Sequence, residues 1–136
     1  MKRISSRAII FEEDYFYTLF RRKIKEGRVH EYYSIPGGGV EDDESLEDTV
    51  KRELKEELSV DINILGYLGS LETDTCFFNY YHAEIIDGIP KLGGEELERN
   101  SYDNYYEIRK INIKDIDEVD ILGKMYIKNA FYKNYK

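Results

Sequence analysis

Cysteine, proline, histidine and tryptophan are scarce in this 136-residue chain, which has one Cys, two Pro, two His and no Trp. The lone Cys76 excludes an internal disulfide and fits a reducing compartment, so the chain is expected in the cytoplasm. His82 shows no metal-site spacing with His30 or Cys76. A base or ligand role for it stands beside that of a satisfied sheet histidine, and the second reading is adopted for both histidines. Cys76 has no partnered base near it in sequence and reads as a small packing residue. No apolar run approaches the roughly 18 residues that cross a bilayer. The first apolar stretch stops at Phe11, before Glu12 and Glu13, which is too short for a signal-peptide core and reads as a strand. Positive charge is also in deficit: 20 Lys and Arg stand against 28 Asp and Glu, a net of -8. Nucleic-acid backbone binders usually show a basic stripe, so that class of partner is disfavoured. An anionic substrate would need bound metal or local arginines to invert the field.

What the chain does have is a concentrated acidic stretch, Pro36 to Val60, PGGGVEDDESLEDTVKRELKEELSV. Ser45, three residues before Asp48, predicts a helix start with an Asp variant of the capping box. Leu46, Val50, Leu54 and Leu58 recur every fourth residue and predict the buried stripe. Glu53, Glu56 and Glu57 then crowd onto one face, where like charges repel and weaken an isolated helix. A divalent cation reverses the sign of that interaction. Mg²⁺ prefers oxygen and typically takes one or two carboxylates together with substrate phosphate oxygens. A Glu- and Lys-rich solvated helix face is the competing reading of RELKEE alone. The three glycines Gly37, Gly38 and Gly39 let a ligand or ion approach the main chain closely, or form a plain turn before the helix.

Gly38, Glu44, Arg52, Glu53, Leu54, Glu56, Glu57 and Val60 match G-x5-E-x7-R-E-U-x-E-E-x-G-U, with U a bulky aliphatic. Ser59 replaces the last Gly and implies modest strain or a different helix exit. This pattern resembles the Nudix box, and the chain is similar to the Nudix hydrolases. The resemblance implies Glu53, Glu56 and Glu57 as catalytic metal ligands, joined by a backbone carbonyl placed at Gly37. It implies Arg52 and Glu44 as a brace between loop and helix, against the alternative of an ordinary surface ion pair. It also implies phosphate-binding arginines, placed at Arg7 and Arg22, each of which could equally be a surface residue.

In chain order, Arg3–Glu12 and Tyr15–Arg22 read as paired strands, with Tyr15, Tyr17 and Leu19 alternating on one face of the second. Lys23–His30 reads as a polar loop bending at Gly27, and Glu31–Ile35 as a short strand. Asp61–Thr73 is a strand broken near Gly66 and Gly69, and Thr75–Ile86 is the most strand-like run. Asp87–Asp103 is a long turn-rich segment of the kind that carries substrate contacts. In some Nudix relatives a similar stretch has two glycines, a Glu, an Arg and an Asn-x-Tyr. Gly93, Gly94, Glu96, Arg99, Asn104 and Tyr106 follow that order loosely, and Glu96 is chosen as further ligand or base, ahead of Glu95 and Glu98. Tyr105–Ile113 returns as a strand and Lys114–Val119 as a helical turn. Leu122–Tyr135 closes the chain as a helix with Met125, Tyr126 and Phe131 facing inward.

Strands on both sides of a central helix, with a second helix at the end, make an α+β sandwich in one domain spanning residues 1–136. The resemblance adds an α/β/α arrangement with a mixed sheet between helices. It implies Mg²⁺- or Mn²⁺-dependent cleavage of the pyrophosphate bond of a nucleoside diphosphate joined to another moiety. The substrate would be a nucleotide-derived small molecule such as a nucleoside triphosphate, a dinucleoside polyphosphate or ADP-ribose. Three intact glutamates speak against the alternative, a catalytically inactive nucleotide-binding or regulatory module of the same fold. Lone Cys76 speaks against a diphosphate isomerase. No membrane partner is expected, and a homodimer is compatible with the family.

Overall fold

The computed structural model describes residues 2–134. Alternating apolar runs rich in Ile, Tyr and Phe form the long strands β1 (Arg3–Glu12), β2 (Tyr15–Lys25), β5 (Asp61–Glu72), β6 (Cys76–Asp87) and β7 (Asn104–Asn112). Between them lie β3 (Arg28–Ser34), β4 (Gly37–Gly39), α1 (Leu46–Leu58) and α2 (Gly94–Glu98). A 3₁₀ helix (Ile113–Glu118) and α3 (Lys124–Asn134) follow. The main path of the sheet is β3-β2-β1-β6-β5, with β4 added to β1 and β7 to β2. β1 and β6 run parallel, from Arg3 opposite Cys76 to Ile10 opposite Ala83, and the other pairs are antiparallel.

Strand alternation sends neighbouring side chains of β1 and β2 to opposite cores. Ala8, Ile10 and Tyr17 join Val50, Leu54 and Leu58 of α1. Ile9 and Phe16 join Tyr126, Ile127 and Phe131 of α3, with Phe11 packed alongside. The mixed sheet therefore lies between helices, as the sequence implies. Among the described residues no helix is long and apolar enough to cross a membrane.

Three elements and the facing of one residue differ from expectation. The polar segment Lys23–His30 is a hairpin rather than a loop, with Lys25 paired to Arg28. Glu26 and Gly27 turn the chain with φ of 52° and 77°, and two left-handed residues match the twist of paired strands. Gly37–Gly39 pairs with Arg7, Ser6 and Ser5 of β1, which brings the glycine loop into the sheet. The expected break near Gly66 and Gly69 is a pair of register shifts inside a continuous β5. Met125 is 57% exposed and does not face inward, whereas Tyr126 and Phe131 do. The helix starts at Lys124, and the turn of a helix rotates Met125 away from the face its neighbour presents. Tyr135 lies outside the described residues.

Candidate active site

The acidic helix is held firmly at both ends. Ser45 Oγ accepts the Asp48 N–H at 3.1 Å, which is the expected N-cap. At the other end Ser59 takes the left-handed conformation a glycine would take, φ 61° and ψ 31°. Its N–H donates to the Lys55 carbonyl at 3.1 Å, and the helix exits as the usual Gly would have it, at the steric cost of a Cβ. Val50, Leu54 and Leu58 are fully buried. The carboxylate face is thereby set against the sheet.

Glu57 is the buried member of the trio, 7% exposed. Its Oε1 accepts the Gly37 N–H at 3.2 Å, so β4 and α1 meet at this carboxylate. Burial pushes its pKa up to about 8, and the nearby charges of Glu96 and Glu53 push the same way. Arg7 and the Gly37 N–H oppose that rise. Glu53 is half-buried and its pKa is also raised, chiefly by desolvation, with Arg52 opposing. Its carboxylate lies against Gly38: a Cβ there would come within 2.5 Å of Oε1 and 2.6 Å of Oε2. A side chain at 38 would push the carboxylate out of that space. Glu56 is more than half exposed and turns to Arg52 Nη1 at 3.2 Å.

Arg52 ties these parts together. Its Nε and Nη2 donate to the two carboxylate oxygens of Glu44 at 2.6 and 3.0 Å, a bidentate pair. Nη2 also donates to the Gly39 carbonyl at 3.1 Å, and Nη1 to Glu53 at 3.0 Å. Glu44 accepts further bonds from the Glu41 N–H and the Thr49 hydroxyl. The Arg52 guanidinium, followed by the Glu41 N–H, holds Glu44 down to about 2. This exceeds an isolated surface ion pair. Arg52 and Glu44 brace loop to helix, and Glu53 and Glu56 are oriented from the same guanidinium.

The long segment after β6 docks on the end of α1. The Lys91 and Gly93 N–H groups donate to the Leu58 and Glu57 carbonyls, each at 3.0 Å. A Cβ at Gly93 would sit 2.7 Å from the Glu56 carbonyl oxygen, so only glycine permits this approach. The following turn of α2 delivers Glu96 to the cleft that Glu57 lines. Glu98 is exposed, and the Glu95 side chain lies outside the described residues.

That cleft, about 290 Å³, is lined on its other sides by Arg3, Arg7, Arg21 and Arg99, with Gly37, Tyr32 and Tyr106. Arg7 Nη1 donates to the Ile35 carbonyl at 3.0 Å, and its guanidinium stands over the Phe78 ring. Arg22 is placed elsewhere, stacked between Tyr102 and Tyr105 on the opposite face of β2. Its neighbour Arg21 takes the cleft position instead, in register with Tyr106. The alternation Tyr15, Tyr17, Leu19 continues to residue 21, which is the signal that distinguishes the two. Arg7, Tyr32 and Ser34 also line a second cavity of about 310 Å³, walled by Tyr33, Phe78 and Tyr80 and edged by Asp120. Nothing local in the sequence marks Asp120 or Tyr32, which arrive from distant segments.

His82 and Cys76 both lie buried on β6, whereas His30 is exposed on β3. His82 is buried edge-on to Phe11, and desolvation lowers its pKa. Cys76 is buried beside the Ser5 hydroxyl at 3.6 Å.

Among the described residues no three His, Cys, Asp or Glu side chains form a ready-made metal cage. The donors nevertheless suit Mg²⁺, which needs only one or two protein carboxylates and fills its octahedron with water and phosphate. Glu57 keeps its proton to about 8 because burial and its acidic neighbours disfavour the anion, and a cation can take that proton's place.

A NUDIX domain model matches residues 1–125. No protein of curated function matches the chain. Solved structures share its fold at low identity. An ADP-ribose pyrophosphatase from Streptococcus suis is 17% identical, with a TM-score of 0.67 over 100% of this chain and 94% of that one. The MutT protein from Methanosarcina mazei is 22% identical, with a TM-score of 0.67 over 99% of this chain and 96% of that one. A Nudix hydrolase from Nitrosomonas europaea reaches a TM-score of 0.70 at 14% identity over 100% and 92%. Nudix enzymes generally use divalent metals. The chain belongs to the Nudix domain family.

Proposed function

We propose that the chain hydrolyses the pyrophosphate bond of a nucleoside diphosphate joined to another group, with Mg²⁺ or Mn²⁺ as cofactor. One observation supports this best. The buried Glu57 carboxylate meets the Gly37 backbone beneath a cleft whose other walls carry arginines. Acidic floor and basic walls suit a ligand that brings both a cation and phosphate oxygens.

Glu53 and Glu57 would hold the cation, with Glu56 completing the set and the Gly37 backbone beside them. When bound, a divalent ion neutralises the diphosphate and lowers the pKa of water. Arg7 offers its remaining donors to phosphate oxygens while its Nη1 stays on the Ile35 carbonyl. The aromatic cavity that shares Arg7 takes the nucleoside, with Tyr33, Phe78 and Tyr80 as stacking and packing surfaces. Glu96, on the α2 turn, accepts the proton of the attacking water. Water adds to phosphorus, the anhydride P–O bond breaks, and the leaving phosphate departs with the electron pair. Gly38 and Gly39 serve by having no side chain, which leaves room for the Glu53 carboxylate and for the guanidinium of Arg3.

The test is nucleoside monophosphate release from a panel of nucleoside diphosphate derivatives with Mg²⁺, Mn²⁺ or EDTA. Glu57→Gln is expected to lose at least about tenfold in turnover with the fold retained. Wild-type rates in that variant, or full activity in EDTA, would refute the assignment.

A further inference from the structure

We infer that Asn100 is a positioning residue: its side chain latches the segment carrying Glu96 onto the edge of β7, and so holds that carboxylate at the cleft. This rests on the hydrolase reading above and on the part given there to Glu96.

β7 pairs with β2, and no other described strand lies against it. Beyond the two ends of that ladder, the Ile24 N–H donates to the Asp103 carbonyl and the Ile113 N–H to the Asp14 carbonyl, each at 2.8 Å. Antiparallel strands turn alternate residues toward the partner, so Tyr105 and Glu107 point their backbone groups at β2 and Tyr106 points its own away. An outward N–H and C=O on an edge strand are a template for another strand. At Tyr106 they meet a side chain instead. Asn100 Oδ1 accepts the Tyr106 N–H at 3.3 Å, and Asn100 Nδ2 donates to the Tyr106 carbonyl at 3.1 Å. One planar amide answers both groups of one residue, as a neighbouring strand would. A carboxylate could accept the N–H but would face the carbonyl with no proton to give.

The place of this latch in the chain gives it a consequence. Upstream, the Gly93 N–H donates to the Glu57 carbonyl at 3.0 Å and ties the start of the segment to α1. Downstream, Asn100 ties its end to β7. The span between these anchors is α2, five residues long, followed by Arg99. A helix needs about 12–15 residues to stand alone, so the position of α2 comes from its ends. Glu96 and Arg99 ride on that span and line the cleft with Glu57 and Tyr106. Asn104 adds a longer tie: its Oδ1 accepts Arg21 Nη2 at 3.1 Å, and its Nδ2 donates to the Arg99 carbonyl at 3.4 Å. Asn100 itself is exposed and does not line the cleft, so it acts through the backbone it holds. Released at that end, α2 gains conformations in which Glu96 is misplaced. A displacement of about 1 Å at a reacting group can cost on the order of 100-fold in rate.

The experiment is a double-mutant cycle on kcat with Mg²⁺, using the nucleoside diphosphate derivative that wild type cleaves fastest. Asn100→Ala is expected to lower kcat about tenfold or more, but less than about twofold in a Glu96→Gln background, where the group it positions is gone. A merely structural role would lower both alike. Amide exchange supplies the second readout. The Leu97 N–H, which donates to the Gly93 carbonyl within the span, is expected to exchange about tenfold faster in Asn100→Ala, while the Leu54 amide of α1 keeps wild-type protection. Asn100→Asp, nearly the same shape, is expected to repeat both effects, and it takes the place of Asn100→Ala if that variant does not fold. Equal losses in the two backgrounds, or no loss in either, overturn the inference and leave the hydrolase standing. If wild type cleaves no substrate, the hydrolase reading fails and exchange decides the inference. Unchanged Leu97 exchange overturns it in either case.

Discussion

The Glu53 carboxylate fills the space in which a side chain on Gly38 would begin, with a Cβ there placed 2.5 Å from Oε1. Two residues fifteen apart in sequence are thus coupled by volume alone. Gly38→Ala should displace a flexible carboxylate end rather than backbone, so the fold survives. A displacement of about 1 Å at a catalytic group can cost on the order of 100-fold in rate. The expected outcome is turnover reduced at least tenfold with an unfolding midpoint close to wild type, checked by steady-state kinetics and thermal melts. A large stability loss with the rate of the folded fraction unchanged would disprove the coupling.

Arg52 should not be replaceable by lysine. Its guanidinium serves both oxygens of Glu44, the Gly39 carbonyl and Glu53 at once, and an ammonium cannot reproduce that fork. Groups that orient metal ligands typically change metal affinity by about 10- to 100-fold when removed. Arg52→Lys is expected to raise the Mg²⁺ concentration needed for half-maximal activity by about that factor. An unchanged metal requirement would reduce the network to surface pairing.

Glu57 makes the metal-free protein sensitive to alkali. Its folded pKa, about 8, lies above the ordinary carboxylate value of 4.5, so between those values the folded state holds a proton that the unfolded chain has released. Stability from this group is full below about 4.5 and falls as pH rises toward 8. In EDTA, the melting temperature of wild type relative to Glu57→Gln should decline across that window. Added Mg²⁺ should offset the decline most at the alkaline end, because there it displaces the fewest protons. A difference that grows with pH in EDTA would contradict the burial argument.

Legibility followed the range of the interactions. α1 was readable from Ser45, the Leu46-to-Leu58 stripe and the spacing of Glu53, Glu56 and Glu57, because capping and helical periodicity are local. Which of Arg21 and Arg22 faces the cleft depends on strand phase, and extending the Tyr15–Leu19 alternation by one step resolves it. The hairpin at Glu26-Gly27 was hidden because its flanking residues are polar and exposed on a solvent-facing extension of β2 and β3. β4 was hidden because three glycines carry no strand propensity, and only pairing with β1 makes them a strand. Tyr32 and the anchor of Arg21 on Asn104 are joined across the chain by β2, β3 and β7, and Asp120 arrives from the link between the 3₁₀ helix and α3, which no local pattern records.

In the proposed mechanism Glu53, Glu56 and Glu57 grip a divalent cation against the Gly37 loop. Mn²⁺ titration followed by electron paramagnetic resonance, on wild type and on Glu57→Gln, reads it directly. Wild type is expected to bind Mn²⁺ saturably, competed by Mg²⁺, and the variant at least about tenfold more weakly. Equal Mn²⁺ affinity in the two proteins would contradict it.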